Sequence, residues 1–190
     1  MADTTGDGEI GGALKNRGIH WTASTDHSWT LANWDWVAGE VTGMGIRYVK
    51  LLDNGAGSSK EPARRFLDLG IEPIVRLYRP RPNPGKLAAL ATTVPKNPWL
   101  LSAANLTTVE QLVNVGVKWF EVNNEPNVVD EWDEGAWGAS SLEQKAKIVA
   151  INWMSDAENV IKRGGRPAFP ALAPCGHTKE FGSVLWWEAM

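Results

Sequence analysis

The chain has 190 residues, 43% of them apolar, a formal net charge of −3 and one cysteine. That is enough apolar material for one sizeable core but not for two large domains, so a single globular unit is expected. Scattered Lys and Arg without a basic stripe argue against a nucleic-acid surface, no apolar run approaches the roughly 18 residues of a membrane span, and the lone Cys175 excludes an intramolecular disulfide or a multi-thiolate zinc site.

Residues 1–16 lack apolar periodicity and read as a disordered leader. Met1 to Gly12 is acidic and Gly-rich rather than basic and then apolar, so no secretory signal is visible and the cellular address stays unknown. From Arg17 onward, short apolar runs alternate with longer amphipathic ones, the pattern of βα units around a parallel sheet. The first strand is expected over 17–21 and the first helix over 31–42, ended by Gly43 and Gly45. A second strand over 47–52 leads through a Gly/Ser loop to a helix over 61–69, with Pro62 in its first turn and Gly70 as its stop. The third strand, 72–78, opens into a stiff Pro-rich loop from Arg79 to Gly85, followed by a short helix around 86–92. A helix over 107–115 precedes a fourth strand over 118–124, and a Trp- and acid-rich loop leads to the longest helix, 141–163. Ser140 or Ser141 with Glu143 or Gln144 has the pattern of a capping box at that helix's start. A fifth strand is expected over 169–173, and 179–190 begins a fifth helix that the end of the sequence cuts short.

Between four and five βα units fit a (β/α)8 TIM-barrel type of α/β fold truncated after about five units, or an open doubly wound sheet. The phosphate-binding glycine motifs of the second are absent: no GxGxxG follows a strand, there is no GxxxxGK[ST], and Gly55-Ala56-Gly57 is too short to count. The reading is therefore a partial barrel over 17–190, whose chemistry gathers in loops at the C-terminal ends of the strands.

Asn123-Asn124-Glu125-Pro126-Asn127 falls at such an end. With Trp119-Phe120-Glu121-Val122 before it, the segment resembles the fourth strand of clan A glycoside hydrolases, retaining barrel glycosidases whose fourth strand ends in Asn-Glu-Pro. Gly18-Ile19-His20-Trp21, Gly45-Ile46-Arg47-Tyr48-Val49-Lys50, Gly70-Ile71-Glu72-Pro73-Ile74-Val75-Arg76-Leu77-Tyr78 and Pro170-Ala171-Leu172-Ala173-Pro174 resemble that clan's first, second, third and fifth strands, in order. The resemblance implies that Glu125 protonates the leaving glycosidic oxygen and then deprotonates water, and that Asn124 hydrogen-bonds the sugar 2-hydroxyl. It implies a β-linked glycoside or polysaccharide as substrate.

Two departures stand out. Many clan members carry an inward Arg near the end of the second strand, where this chain has Lys50, which keeps the charge but loses bidentate pairing. The clan's nucleophile is a Glu on the seventh strand, and this sequence stops before the sixth, so the isolated chain is expected to turn over little or not at all. Retaining hydrolysis needs two carboxyl groups about 5 to 5.5 Å apart. Glu131, Asp133 and Glu134, in the loop after Glu125, read as solvated charge rather than as the second group.

Strand alternation puts Glu121 on one face with Glu125, Arg76 with Tyr78, and Lys50 with Tyr48. A buried Glu121 needs a cation, so it is expected to pair with Arg76 or Lys50. His20 at the first strand's rim, Lys50, Arg76, Tyr78 and Trp132 are candidate sugar contacts, and Trp137 is a further ring for a subsite. Most of the eleven Trp are expected to be structural. No His/Asp/Glu set has metal-ligand spacing, and neither a metal nor a cofactor is expected. The alternative functions are a non-catalytic carbohydrate-binding protein of the same fold and an aldolase-type barrel using Lys50. The open edges of a partial barrel predict self-association or a C-terminal half-barrel partner.

Overall fold

The computed structural model describes residues 17–21, 31–53, 55–77, 101–132, 137–138, 140–174 and 182–190. The expected leader, the Pro-rich loop with the short helix at 86–92, Tyr78, Asp133 and Glu134 lie outside these residues. Five strands form one all-parallel sheet: β1 (Gly18–His20), β2 (Tyr48–Asp53), β3 (Glu72–Leu77), β4 (Trp119–Val122) and β5 (Arg166–Ala168), in the order β1-β2-β3-β4-β5. Among the described residues the helices are α1 (Leu31–Gly43), α2 (Lys60–Asp68), α3 (Ala103–Asn114), α4 (Leu142–Ile161) and α5 (Ser183–Ala189), with a 3-10 turn at Val129–Glu131. Every strand pairs with the next one in the chain, and the order never reverses. A doubly wound sheet has a reversal, whereas sequential order is what a partial α/β barrel produces.

Side-chain alternation gives the sheet two unlike faces. Val49 and Leu51 of β2, Val75 and Leu77 of β3 and Phe120 and Val122 of β4 are buried in one cluster. That cluster includes Trp34, Val37 and Val41 of α1, Ala63 and Phe66 of α2, Val109 and Leu112 of α3, and Val160 of α4. These four helices therefore cover the same face. The intervening residues Tyr48, Lys50, Leu52, Ile74, Arg76 and Trp119 are only half-buried and line the opposite, open face. A second, smaller cluster joins Trp132, Ala146, Val149 and Trp186, with Phe169 and Leu172 packed against it.

Local chemistry explains most of the boundaries. The capping box at the start of α4 is complete, with Ser141 Oγ accepting from Gln144 N–H and Gln144 Oε1 accepting from Ser141 N–H. At α3, Ser102 Oγ accepts from Asn105 N–H at 3.1 Å, so the helix starts at Ala103 rather than near 107. Pro73 lies inside β3, where a missing N–H normally breaks a ladder. Glu72 N–H donates to Arg47 carbonyl on the β2 side, so Pro73 turns its nitrogen towards β4, whose register begins one residue later at Ile74 and Trp119. Asp53, buried at the end of β2, accepts from Gly55, Gly57 and Ser59 N–H at 2.7, 3.2 and 2.9 Å and from Ser59 Oγ at 2.7 Å. Its carboxylate fills the nest of backbone donors that holds a phosphate in phosphate-binding loops.

Two strands differ from the sequence expectation. β4 ends at Val122 because Asn123 has φ 74°, a left-handed conformation that stops the ladder. β5 is Arg166–Ala168 rather than 169–173. Arg166 N–H donates to Lys118 carbonyl at 2.7 Å as the chain leaves α4, so pairing with β4 is used up early, and Phe169 and Leu172 pack into the second cluster instead.

Candidate active site

The open face carries its polar groups at the C-terminal ends of the strands. In register, His20 lies level with Lys50 and Ile74, and one pleat further on Leu52, Arg76 and Glu121 form the next row. Glu121 is 6% exposed, and it could pair with its immediate neighbour Arg76. It pairs instead with Lys50, whose ammonium lies 2.6 Å from each carboxylate oxygen. One cation of the expected pair thus neutralises Glu121 and releases the other.

Arg76 turns to the loop after β4. Its Nη1 donates to Asn124 Oδ1 at 2.5 Å, and Asn124 Nδ2 donates to Glu131 Oε1 at 2.8 Å. The Asn124 amide therefore lies between a guanidinium and a carboxylate. Glu131 is 3% exposed, so the expectation of a solvated loop charge is corrected. The 3-10 turn at Val129–Glu131 and the burial of the following Trp132 carry it inward.

Glu125 follows directly. Its φ of 24° is strained for a residue with a Cβ, worth about 1–3 kcal/mol, and such strain concentrates at functional positions. Strand alternation ends at Val122, so the shared face expected for Glu121 and Glu125 is not a consequence of the pleat. The carboxylate of Glu125 is half-buried and makes no hydrogen bond to described residues. A turn closed by Val128 N–H donating to Glu125 carbonyl at 3.0 Å fixes the backbone, with Pro126 in the second position, which its locked φ suits. Asn127, also buried, ties this loop to the segment after β5: its Nδ2 donates to Ala173 carbonyl at 2.7 Å and its Oδ1 accepts from Ala173 N–H at 2.8 Å.

His20 stands at the exposed edge of the same face. Partial burial, and then the positive charges of Lys50 and Arg76, hold its imidazole below the usual value near 6.5, while Glu121 pulls the other way. It is a neutral hydrogen-bonding group at pH 7.

Trp132 does not belong to this set. It is 5% exposed, its ring meets Trp137 and Trp186 edge-on or tilted, and its indole N–H donates to Pro126 carbonyl at 2.7 Å. A ring enclosed in this way offers no open plane to a sugar, which corrects the expected contact. Trp137 belongs to the same group, with Lys145 Nζ 4.5 Å above its ring. The structure thus brings together His20, Lys50, Arg76, Glu121, Asn124 and, unforeseen, Glu131, with Glu125 adjoining them along the chain. Sequence reasoning also passed over Asn127. Its signal was its place in the Asn-Glu-Pro-Asn run, which marks a turn but not the partner 46 residues away.

Among the described residues no group of three His, Cys, Asp or Glu is placed to hold a metal ion, and no helix is long and apolar enough to cross a membrane. No protein-family model, curated protein or solved structure matches the chain.

Proposed function

We propose that this chain carries the acid/base half of a retaining glycoside hydrolase site on a partial (β/α)8 barrel acting on a β-linked glycoside. The observation that carries the reading is the Asn124 amide, held between Arg76 and Glu131 at the C-terminal edge of the sheet, with the strained, half-exposed Glu125 next to it. In this reading Glu125 gives its proton to the departing glycosidic oxygen and takes one from water in the second step, and Asn124 binds the sugar hydroxyl beside the reacting carbon. His20 and Arg76 add hydrogen-bond donors from neighbouring strands.

A retaining site also needs a nucleophilic carboxylate about 5 to 5.5 Å from the acid. Among the described residues Glu121 is neutralised by Lys50 and Glu131 accepts from Asn124, so both carboxylates near Glu125 in the chain are already engaged. The second reading is a carbohydrate-binding protein of the same fold without turnover. Small anions separate the two, because azide or formate can take the place of a nucleophilic carboxylate at the reacting carbon. With aryl β-glycosides of poor leaving groups in molar azide or formate, the glycosidase reading expects turnover that falls about 10²- to 10⁴-fold in Glu125→Gln, with sugar affinity kept. Equal sugar binding in both proteins without turnover supports the binding protein, and absence of both defeats both readings.

A further inference from the structure

We propose that Glu131 is a positioning residue that fixes which way round the Asn124 amide faces the site. The oxygen and nitrogen ends of an asparagine amide have nearly the same shape, so packing alone scarcely distinguishes the two orientations, and the hydrogen-bond partners decide. Here both partners are charged. The guanidinium of Arg76 can only donate, and it meets Oδ1 at 2.5 Å; the carboxylate of Glu131 accepts, and it meets Nδ2 at 2.8 Å. Turning the amide over would set its NH2 against a guanidinium and its oxygen against a carboxylate, exchanging two charge-assisted hydrogen bonds for two repulsions.

The loop is built to deliver this carboxylate. Glu131 N–H donates to Val128 carbonyl at 3.1 Å and Trp132 N–H to Val129 carbonyl at 3.0 Å, which winds the chain through the 3-10 turn. The Trp132 indole then anchors the turn to Pro126 carbonyl and to the second core cluster. Trp132 therefore serves the site at one remove, by holding Glu131 beneath it. Among the described residues one N–H and one oxygen lone pair of Asn124 are used, which leaves one of each, in known directions, for a hydroxyl group of a ligand. Only the naming of that ligand as a sugar rests on the glycosidase reading.

The test uses the whole 15N-labelled chain without any sugar and reads the two side-chain amide protons of Asn124, assigned by their loss in Asn124→Asp. In the wild type one proton is expected well downfield of the other and slow to exchange, because it is bonded to a carboxylate. In Glu131→Met the separation should collapse to that of a free amide and exchange should speed up at least tenfold, while in Glu131→Gln, which keeps a neutral acceptor, the downfield shift should shrink without vanishing. An unchanged amide pair in Glu131→Met overturns the proposal. Should that variant fail to fold, an unchanged downfield shift in Glu131→Gln overturns it equally. If the amide responds as expected but cellotetraose and laminaritetraose neither bind nor are cleaved, the positioning role stands and it is the glycosidase reading that loses support.

Discussion

Lys50 lies level with His20, yet its ammonium reaches the carboxylate of Glu121 one pleat higher and two strands away. Because Glu121 is buried, removing Lys50 leaves its carboxylate with little water and with only Arg76, already bonded to Asn124, as a neighbouring cation. Lys50→Met is therefore expected to cost about 3 kcal/mol, at the lower end for a buried pair because Lys50 itself keeps some exposure. Chemical denaturation measures this, and Lys50→Met with Glu121→Met should recover most of the loss, since a pair replaced by apolar groups is often neutral. His20 reports the same change. Its folded-state pKa lies below the unfolded value, so the unfolded chain takes up its proton first as pH falls. The contribution is intact above about pH 6.5 and is lost as pH drops through the window down to the folded value. An NMR titration should give a His20 midpoint below 6.5 that rises in Lys50→Met, where a repelling cation disappears and Glu121 is unmasked; a midpoint that stays or falls contradicts the arrangement. The need of Glu121 for a cation was legible in the sequence, because a carboxylate flanked by Phe120 and Val122 on a strand cannot be left bare. Which cation took it was not, since that depends on the reach of a side chain across an intervening strand. Glu131 had no signature at all: its partner is seven residues back around a turn that only the burial of Trp132 defines.

The helices and strands respond to substitution according to what surrounds them. Gly39 lies inside α1 with nothing within 4 Å of an added Cβ, so Gly39→Ala should stabilise by roughly 0.5–1 kcal/mol through backbone entropy and helix propensity. At Gly165 the same added atom meets the Phe120 ring and Val160 at 2.8 Å, where α4 turns back into β5. Gly165→Ala is expected to cost about 1–3 kcal/mol by overpacking. Thermal melts of the two variants should therefore shift in opposite directions, by about 2–4 °C per kcal/mol for a chain of this size. The start of α4 was legible because the Ser141 and Gln144 pattern states its own hydrogen bonds, and the ends of α2 and α3 because Gly70 and Gly116 take positive φ. The position of β5 was not. Phe169 to Ala173 has the apolar character of a strand, but pairing is decided by where Arg166 first meets Lys118, and the apolar run is diverted to Trp132 and Trp186. Propensity describes a segment, while the ladder is a property of two segments.

Across the whole molecule, the repetition of βα units foretold a parallel sheet, and its strands lie in chain order with four of the helices on one face. The character of its two margins was not foretold. Trp21 N–H donates to Lys50 carbonyl and Arg17 carbonyl accepts from Arg47, so the N–H groups of Gly18 and His20 alternate away from β2, and no described residue pairs with that outer side of β1. On the far side, Arg166 N–H is spent on β4, which turns Pro167 outward with no hydrogen to offer. Among the described residues, one margin is open to a further strand and the other is blunted. Sedimentation velocity is expected to show concentration-dependent association, and a single ideal monomer at every concentration would contradict this. The asymmetry also limits how far assembly can run. Two chains joined β1 to β1 about a twofold axis have spent their receptive margins on each other, so growth stops at a pair instead of propagating into a fibre. Restoring the absent hydrogen with Pro167→Thr would remove that stop and let open-ended polymers form.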